Sequence, residues 1–270
     1  MLVKDQALGQ KDLLLGGFAV QTRVIGALML RDMRTRFGRT FFGYVIQVLW
    51  PLTHLLVVMT IYLVIRRLMP FGSSPAVFLG TGILPYILCL YPARMITMSL
   101  VQNSPLLYFP VIKSIDVILA RGFLETVTSF WVIAIFCFIL YVFGVEVMPI
   151  YPEQALLAIF ATIYLGFSIG FLGAVICKVI KFWMFVIIAI LIIMYATSGA
   201  FLFTAALPPK VQYYMSWNPL FHSVEWLRSA YYDGYGNDIL DRGYLVGFAS
   251  VNLFAGFLAE RVIRRFLLQN

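Results

Sequence analysis

The segment LRDMRTRFGRTFFGYVIQVLWP, residues 30–51, joins a basic stretch directly to a long apolar one. Its basic half contains four arginines: Arg31, Arg34, Arg36 and Arg39. A charged, partly amphipathic helix that continues into an apolar run is typical of a helix on the membrane surface followed by a membrane span. We therefore predict an interfacial helix over residues 21–37 and a first span over residues 43–65. A basic patch that only fixes the topology is the alternative explanation of the arginines.

The composition of the whole chain indicates an integral membrane protein. Of its 270 residues, 62% are hydrophobic and 12% are charged, which is less polar surface than a globular protein needs. The first residues show no short apolar segment with a small-residue cleavage site, so we expect no secretory signal. Three scattered cysteines and two histidines give neither a disulfide framework nor a metal-ligand spacing. We therefore expect no metal site.

The apolar segments predict an all-α membrane protein with six spans, at residues 43–65, 76–97, 122–143, 154–177, 182–203 and 244–262. Six spans place both termini on the same side of the membrane. Fifteen of the twenty Lys and Arg residues fall on that side, which predicts that both termini are cytoplasmic. The net charge of +8 is therefore a topology signal, and we expect no nucleic-acid partner. Residues 1–20 form a leader, residues 21–40 the interfacial helix, and residues 41–270 the six-span domain.

The spans contain few chemically active groups. The chain has no GxxxxGK[ST] phosphate loop, and its spans lack the paired carboxylates or histidines of a proton relay. Active transport would therefore need energy from a partner. Glu125 lies near the start of the third span with Arg121 four residues before it, which predicts a structural ion pair. Gly166 and Gly170 in the fourth span are spaced for close approach to a neighbouring helix.

Residues 98–121, which we call the coupling loop, connect the second and third predicted spans on the cytoplasmic side. An apolar ridge lies there between two prolines, with basic residues beside it, and this pattern suits the docking of an energy-supplying partner. A loop that lies on the lipid surface is the alternative. The predicted docking residues are Asn103, Leu106, Leu107, Tyr108, Phe109, Val111, Lys113 and Asp116.

Residues 204–243, which we call the outer loop, connect the fifth and sixth predicted spans. The pair Asn218-Pro219 predicts a helix start, because a capping side chain is followed by proline at the first helical position. Glu225 and Arg228 are spaced as an ion pair on that helix. A long connector with its own helix and many aromatic residues is not typical of a solvated linker. We therefore predict a re-entrant helical pair that forms an outer gate, with Trp217, Asn218, Pro219, Trp226 and Arg228 as gate residues.

Polar and aromatic residues recur at steps of three and four along the first span, so they share one helix face. Polar side chains on a membrane helix are expected to face protein or a cavity. A second group lies near the outer half of the fifth span. The residues that we predict to line a translocation path are Tyr44, Gln47, His54, Tyr62, Tyr195, Ser198 and Phe201. Aromatic belts at the membrane surfaces are the alternative explanation.

Three separated stretches carry a family resemblance: RDMRTRFGRTFFGYVIQVLWPL, NSPLLYFPVIKSIDVILARGFLET and WNPLFHSVEWLR. They resemble the membrane subunits of ABC-2 type exporters, and most closely the permeases that export capsular polysaccharide across the inner membrane of Gram-negative bacteria. The resemblance implies that the coupling loop seats in an ATP-hydrolysing subunit and that the outer loop closes the path. It also implies that the first and fifth spans line this path between two permease copies. Ser114 departs from the family pattern, in which a proline is expected.

The resemblance further implies two copies of this chain and two ATP-binding cassette subunits in one transporter. ATP and Mg would be bound by those partners, and this chain would hold no cofactor of its own. The cargo would be a lipid-linked, acidic capsular polysaccharide, recruited by the four arginines and passed to periplasmic and outer-membrane polysaccharide export proteins. Export of O-antigen, teichoic acid or another glycan is the alternative within the class. A membrane enzyme such as a glycan polymerase would need converging His, Asp or Glu side chains, and a secondary transporter would need a proton relay. A passive channel is a further alternative.

Overall fold

The computed structural model describes residues 19–34, 41–65, 74–235 and 239–269, which are helical apart from short connections and contain no strand. The α-helices are α1 (19–34), α2 (Phe41–Val64), α3 (Pro75–Thr97), α4 (Ser99–Gln102), α5 (Ser114–Val142), α6 (Pro152–Val179), α7 (Trp183–Ala196), α8 (Pro209–Met215), α9 (Pro219–Tyr231) and α10 (Arg242–Gln269). Two short 3-10 helices cover Ser104–Tyr108 and Thr204–Ala206. The prediction of an all-α membrane protein is confirmed at this level.

Five of the described helices are long and apolar enough to cross a membrane, whereas the sequence predicts six such helices. The difference lies in the fifth predicted span, residues 182–203. Its helix α7 has 14 residues and is about 21 Å long, which is short against a hydrocarbon core of ~30 Å. The helix stops before a turn in which Gly199 has a φ of +73°, a conformation that L-residues other than glycine rarely adopt. A span predicted from hydropathy alone runs through this turn, because the residues of the turn are still mostly apolar.

The third predicted span starts earlier than residue 122, because α5 already begins at Ser114. The carboxylate of Asp116 accepts a hydrogen bond of 2.9 Å from the Lys113 backbone N–H, which closes the start of this helix. Ser114 occupies the first helical position, where proline is also favoured. The coupling loop is therefore shorter than predicted and consists of α4, one 3-10 helix and the chain up to Lys113.

Helices α3 and α6 form the centre of the bundle, with α9 packed against both and α10 packed against α6. A methyl group added at Gly166 would lie 2.8 Å from the carbonyl oxygen of Cys89, and one added at Gly170 would lie 2.8 Å from Cβ of Ile96. These distances are too short for a side chain, so the two glycines permit the close contact between α6 and α3. The predicted packing role of the glycine pair is confirmed.

The predicted interfacial helix corresponds to α1, which packs through Leu28 and Asp32 against the rest of the protein. Of the residues assigned to substrate recruitment, Arg31 and Arg34 lie on this helix. Arg36 and Arg39 lie outside the described residues, as does most of the predicted leader, residues 1–20.

Candidate functional site

Helix α1 is bound to the coupling loop and to the start of α5 by polar side chains. Arg31 Nη1 donates a hydrogen bond of 2.7 Å to Asn103 Oδ1, and Gln21 Nε2 donates to Asp116 Oδ1. Asn103 and Asp116 are buried, although we predicted both as docking residues for a partner. The geometry instead brings a predicted recruitment residue and two predicted docking residues into one internal contact region. Movement of the coupling loop would therefore act directly on α1.

The remaining docking residues separate into an inner and an outer group. Leu106 and Leu107 are half-buried and pack against the cluster that contains Leu28 of α1. Tyr108, with 89% of its surface exposed, and Phe109, with 60%, project from the protein. Val111 and Lys113 are also exposed. The surface available to a partner is therefore the short stretch 108–113.

A chain of buried polar groups leads from α1 across α5 to α2, and we call it the polar relay. Arg121 lies between two carboxylates, with Nη2 2.6 Å from Glu125 Oε1 and Nη1 3.5 Å from Asp32 Oδ2. Gln47 Nε2 donates to the same Glu125 oxygen at 3.1 Å and to Thr128 Oγ1 at 3.3 Å. All five side chains are buried. The predicted Arg121–Glu125 pair is confirmed, while Asp32 and Gln47 are members that the sequence pattern did not reveal.

Burial of the polar relay carries a large desolvation free energy, because a charge taken out of water needs partners on several sides. A single arginine between two carboxylates satisfies both only while α1, α5 and α2 keep their present positions. Removing one member leaves the others buried without a full set of partners, which costs several kcal/mol in typical proteins, about 3–5. The relay therefore fixes the relative positions of three elements at one end of the bundle.

Four of the predicted path residues meet in an aromatic cluster between α2, α3 and the region of α7. Tyr62 stacks on Phe201 with ring centroids 4.5 Å apart, and Tyr195 meets Phe201 edge-on at 5.1 Å. His54 lies 6.5 Å from the ring of Tyr195. The first predicted span, residues 43–65, and the fifth, residues 182–203, are thus in contact.

Two tyrosines of α3 complete this cluster, and neither of them was predicted as a path residue. The ring of Tyr86 stacks on Tyr195 with centroids 3.6 Å apart, and the hydroxyl of Tyr91 lies 3.2 Å from His54 Nδ1. Both tyrosines sit beside prolines of α3, and a tyrosine in a membrane helix with such breakers could have indicated a polar-lined face.

The other predicted path residues lie elsewhere. Tyr44 is about three turns from His54 on α2 and does not reach the cluster. Gln47 belongs to the polar relay. The hydroxyl of Ser198 donates to the backbone oxygen of Tyr195 at 2.8 Å, so it is used inside the turn after α7.

Helix α9 of the outer loop begins as predicted, since the Asn218 side chain accepts a hydrogen bond of 2.9 Å from the Leu220 N–H. The helix is buried on all sides, because every residue from Pro219 to Ala230 is buried. The helix is enclosed by α3, α6, α7 and α10, so its polar side chains also find partners inside the protein.

Arg228 is the polar centre of this region. Its Nη1 donates to the carbonyl oxygens of Gly199 and Leu202, both at 2.9 Å, and its Nη2 donates to that of Ala200 at 2.5 Å. It also lies 3.9 Å from Glu225 Oε1, so the predicted ion pair is confirmed. The three carbonyl contacts are shorter, which means that Arg228 mainly holds the turn after α7.

Glu225 is enclosed by hydrogen-bond donors. Thr204 Oγ1 donates to it at 2.8 Å and the hydroxyl of Tyr235 donates at 3.1 Å. Burial raises the pKa of Tyr235 to about 12, and the nearby Arg228 opposes this rise. The Tyr235 hydroxyl therefore stays protonated at neutral pH and can serve as a donor. This network joins α9 to the chain on both sides of it.

The two tryptophans assigned to the outer gate occupy different environments. Trp226 is 6% exposed and donates through Nε1 to Gln154 Oε1 at 3.1 Å. Trp217 is 67% exposed. Its backbone oxygen accepts a hydrogen bond of 2.6 Å from the hydroxyl of Tyr244, and its ring meets that of Tyr213 edge-on with centroids 6.2 Å apart. Trp226 is thus a packing residue of the interior, and Trp217 offers its ring to the surroundings.

Comparison with known proteins identifies relatives along most of the chain. The model of the family described as ABC-2 type transporter matches residues 23–232. A polysialic acid transport protein of Escherichia coli, KpsM, is 32% identical over 246 residues, which cover 91% of this chain and 95% of that protein. The capsule polysaccharide export inner-membrane protein CtrC of Neisseria meningitidis serogroup B is 31% identical over 82% of this chain and 83% of its own. BexB of Haemophilus influenzae, with the same description, is 28% identical over 79% and 81%.

Proposed function

Since the chain belongs to the ABC-2 type transporter family, we propose that it is the membrane permease subunit of an exporter that moves capsular polysaccharide across the bacterial inner membrane. The observation that carries this proposal is the similarity over nearly the full length of relatives that are named for polysialic acid transport and capsule polysaccharide export. The five long apolar helices support a multi-pass protein of the inner membrane.

We assign a sixth crossing to α7 together with the chain that follows it, with both termini in the cytoplasm. The excess of Lys and Arg on the side of the termini supports this orientation. In the same arrangement α8 and α9 form the re-entrant outer gate. The buried position of α9, with Arg228 bound to the turn after α7, favours a gate that is built into the bundle over a free periplasmic loop.

Energy would come from two copies of a partner that binds ATP and Mg²⁺. The exposed stretch 108–113 is the surface of the coupling loop that such a partner could contact. A second copy of this chain would complete the channel, and the exposed apolar surface of the later half of α2, with Val57 and Ile61, is available to it. Through Arg31 and the polar relay, a displacement of the coupling loop would reach α1 and α2 together.

The cargo would be lipid-linked and acidic. Arg34 is exposed on α1 and is the better candidate for contact with a phosphate-bearing headgroup, because Arg31 is engaged with Asn103. The aromatic cluster of α2, α3 and α7 would face the passing polymer, since aromatic rings stack on the apolar faces of sugars. Periplasmic and outer-membrane polysaccharide export proteins would receive the product. Export of O-antigen or teichoic acid by the same machinery would change only the glycan.

Deletion of the gene for this chain in its own host tests the proposal. Polysaccharide should disappear from the cell surface and accumulate on the cytoplasmic side of the inner membrane, where immunogold labelling of sections detects it. Supplying the gene in trans should restore the surface layer. Unchanged surface polysaccharide would refute the export function. Loss of polysaccharide from both locations would instead favour a membrane enzyme of glycan synthesis.

A further inference from the structure

A cavity of ≈ 270 Å³ lies between α2, α3 and α5, next to the polar relay. Its walls are mainly apolar and include Ile87 and Leu88 of α3 and Val132 of α5. On the α2 side it is bordered by Ile46 and Trp50, which are 57% and 67% exposed. The cavity therefore reaches the surface of the subunit beside α2, where a molecule from the surrounding bilayer has access to it.

Arg94 is the cation that lines this cavity. Among the residues that the structure describes, no carboxylate pairs with Arg94, and its buried Nε–H has no hydrogen-bond acceptor. The acid that lines the same cavity, Glu125, is held by Arg121 and Gln47. A buried N–H donor without an acceptor is energetically unfavourable. The site is thus suited to an anion that arrives from outside the subunit.

The position of Arg94 along the helix indicates what kind of anion fits. Arg94 lies in the last turn of α3, at the end of the bundle where α5 begins and where α2 carries Gln47. Ile87 and Leu88 lie about two turns deeper on the same helix, toward the middle of the bundle. A cation near the membrane surface with an apolar wall below it matches a molecule that has an acidic head and an apolar tail. Free phosphate would occupy only the Arg94 end.

We propose that this cavity binds an acyl chain of an anionic phospholipid, with the lipid phosphate paired to Arg94. The inference rests on the proposed function for one point, namely that this end of the bundle faces the cytoplasmic leaflet. The bound lipid lies against Gln47 and Glu125, so it contacts the same relay that connects the coupling loop to α2. A bound acidic lipid headgroup would thereby affect the coupling loop, which is the element that a partner ATPase contacts.

Trp50 provides a fluorescent probe inside the proposed site. A variant in which the other four tryptophans are replaced by phenylalanine is reconstituted as the full chain in lipid nanodiscs. Brominated phosphatidylglycerol in a phosphatidylcholine background should quench Trp50 at low mole fraction with a saturable dose response. Brominated phosphatidylcholine at the same mole fraction should quench it weakly. Arg94→Gln should lower the preference for phosphatidylglycerol by about tenfold, the effect of losing one hydrogen bond to a charged group.

Controls separate the possible occupants. Unbrominated phosphatidylglycerol should relieve the quenching, whereas inorganic phosphate should not, since a free anion lacks the acyl chain. Ile46→Trp is expected to narrow the cavity and reduce retention of the lipid, as judged by native mass spectrometry of the protein with its own tryptophans. Leu49→Trp, also exposed on α2 but not part of the cavity, should leave retention unchanged.

Several results would overturn the assignment. Linear and equal quenching by both lipids would mean that Trp50 faces bulk bilayer. A preference for phosphatidylglycerol that survives Arg94→Gln would remove Arg94 from the site. Protection of Trp50 from both lipids would mean that a second copy covers the cavity. None of these outcomes depends on export, so a failure here is distinct from a failure of the gene-deletion test.

Discussion

Replacing Arg228 with methionine keeps much of its apolar volume and removes a guanidinium that is 0% exposed. The substitution leaves the carbonyl oxygens of Gly199, Ala200 and Leu202 without their donor, and it leaves Glu225 without its cation. Truncating one partner of a buried charged network costs about 3–5 kcal/mol. We expect a loss of that size in the free energy of unfolding of the purified protein. Arg228→Lys should recover part of it, because an ammonium group cannot reach three carbonyls in the planar arrangement of a guanidinium.

A double variant separates the two roles of Arg228. In a Glu225→Gln background the side chain at position 225 carries no charge that needs a cation, yet the three carbonyls still need a donor. We therefore expect Arg228→Met in that background to lower the free energy of unfolding by more than half of the loss that it causes alone. Unfolding in mixed micelles, followed by near-UV circular dichroism, measures both differences. Arg242→Met is the matched control, since Arg242 is exposed and should cost less than about 1 kcal/mol. A full rescue by Glu225→Gln would show that the ion pair, and not the turn after α7, explains the burial of Arg228.

Other substitutions test the coupling loop, α1 and the outer loop. Phe109→Asp, on the exposed stretch 108–113, should reduce co-purification of the ATPase and surface polysaccharide, whereas Met148→Asp on the opposite connection should not; equal effects would remove the docking assignment. Arg34→Gln should weaken the stimulation of ATP hydrolysis by acidic glycolipid and leave the basal rate unchanged. Unchanged stimulation in a correctly oriented protein would mean that Arg34 serves only to fix the topology. Trp226→Ala should lower the free energy of unfolding by about 3–5 kcal/mol and Trp217→Ala by less than about 1 kcal/mol; similar losses in a chemical unfolding assay would contradict their different burial.

Several features of this chain could be predicted from sequence because a residue spacing within one helix indicates them. The start of α9 at Asn218-Pro219, the pair of Arg121 with Glu125 and the close approach at Gly166 all follow from spacings of a few residues. The long apolar runs likewise indicate the helices. In each of these examples the deciding interaction lies within a turn or two of the residue itself, or needs only a small side chain.

The features that could not be predicted depend on which distant segments meet. Asp32 joins Arg121 across 89 positions of the chain, so nothing in the local pattern marks it as a relay member. The polar face of α9 suggests exposure, and only the enclosure by other helices explains why Glu225 is buried. The early end of α7 depends on the turn at Gly199, whose carbonyl is held by Arg228 from the outer loop. Hydropathy could not show this, because the residues of the turn are still mostly apolar.

Translocation in inverted membrane vesicles tests the central claim most directly. Vesicles that contain this chain and its ATPase are loaded from outside with lipid-linked acidic polysaccharide, and a capsule-degrading glycosidase is added after incubation with or without ATP. The account predicts that ATP makes the polysaccharide resistant to the glycosidase until detergent opens the vesicles, and that vesicles without this chain give no such protection. Protection that is the same without ATP, or the same without this chain, would contradict the assignment of an ATP-driven polysaccharide permease.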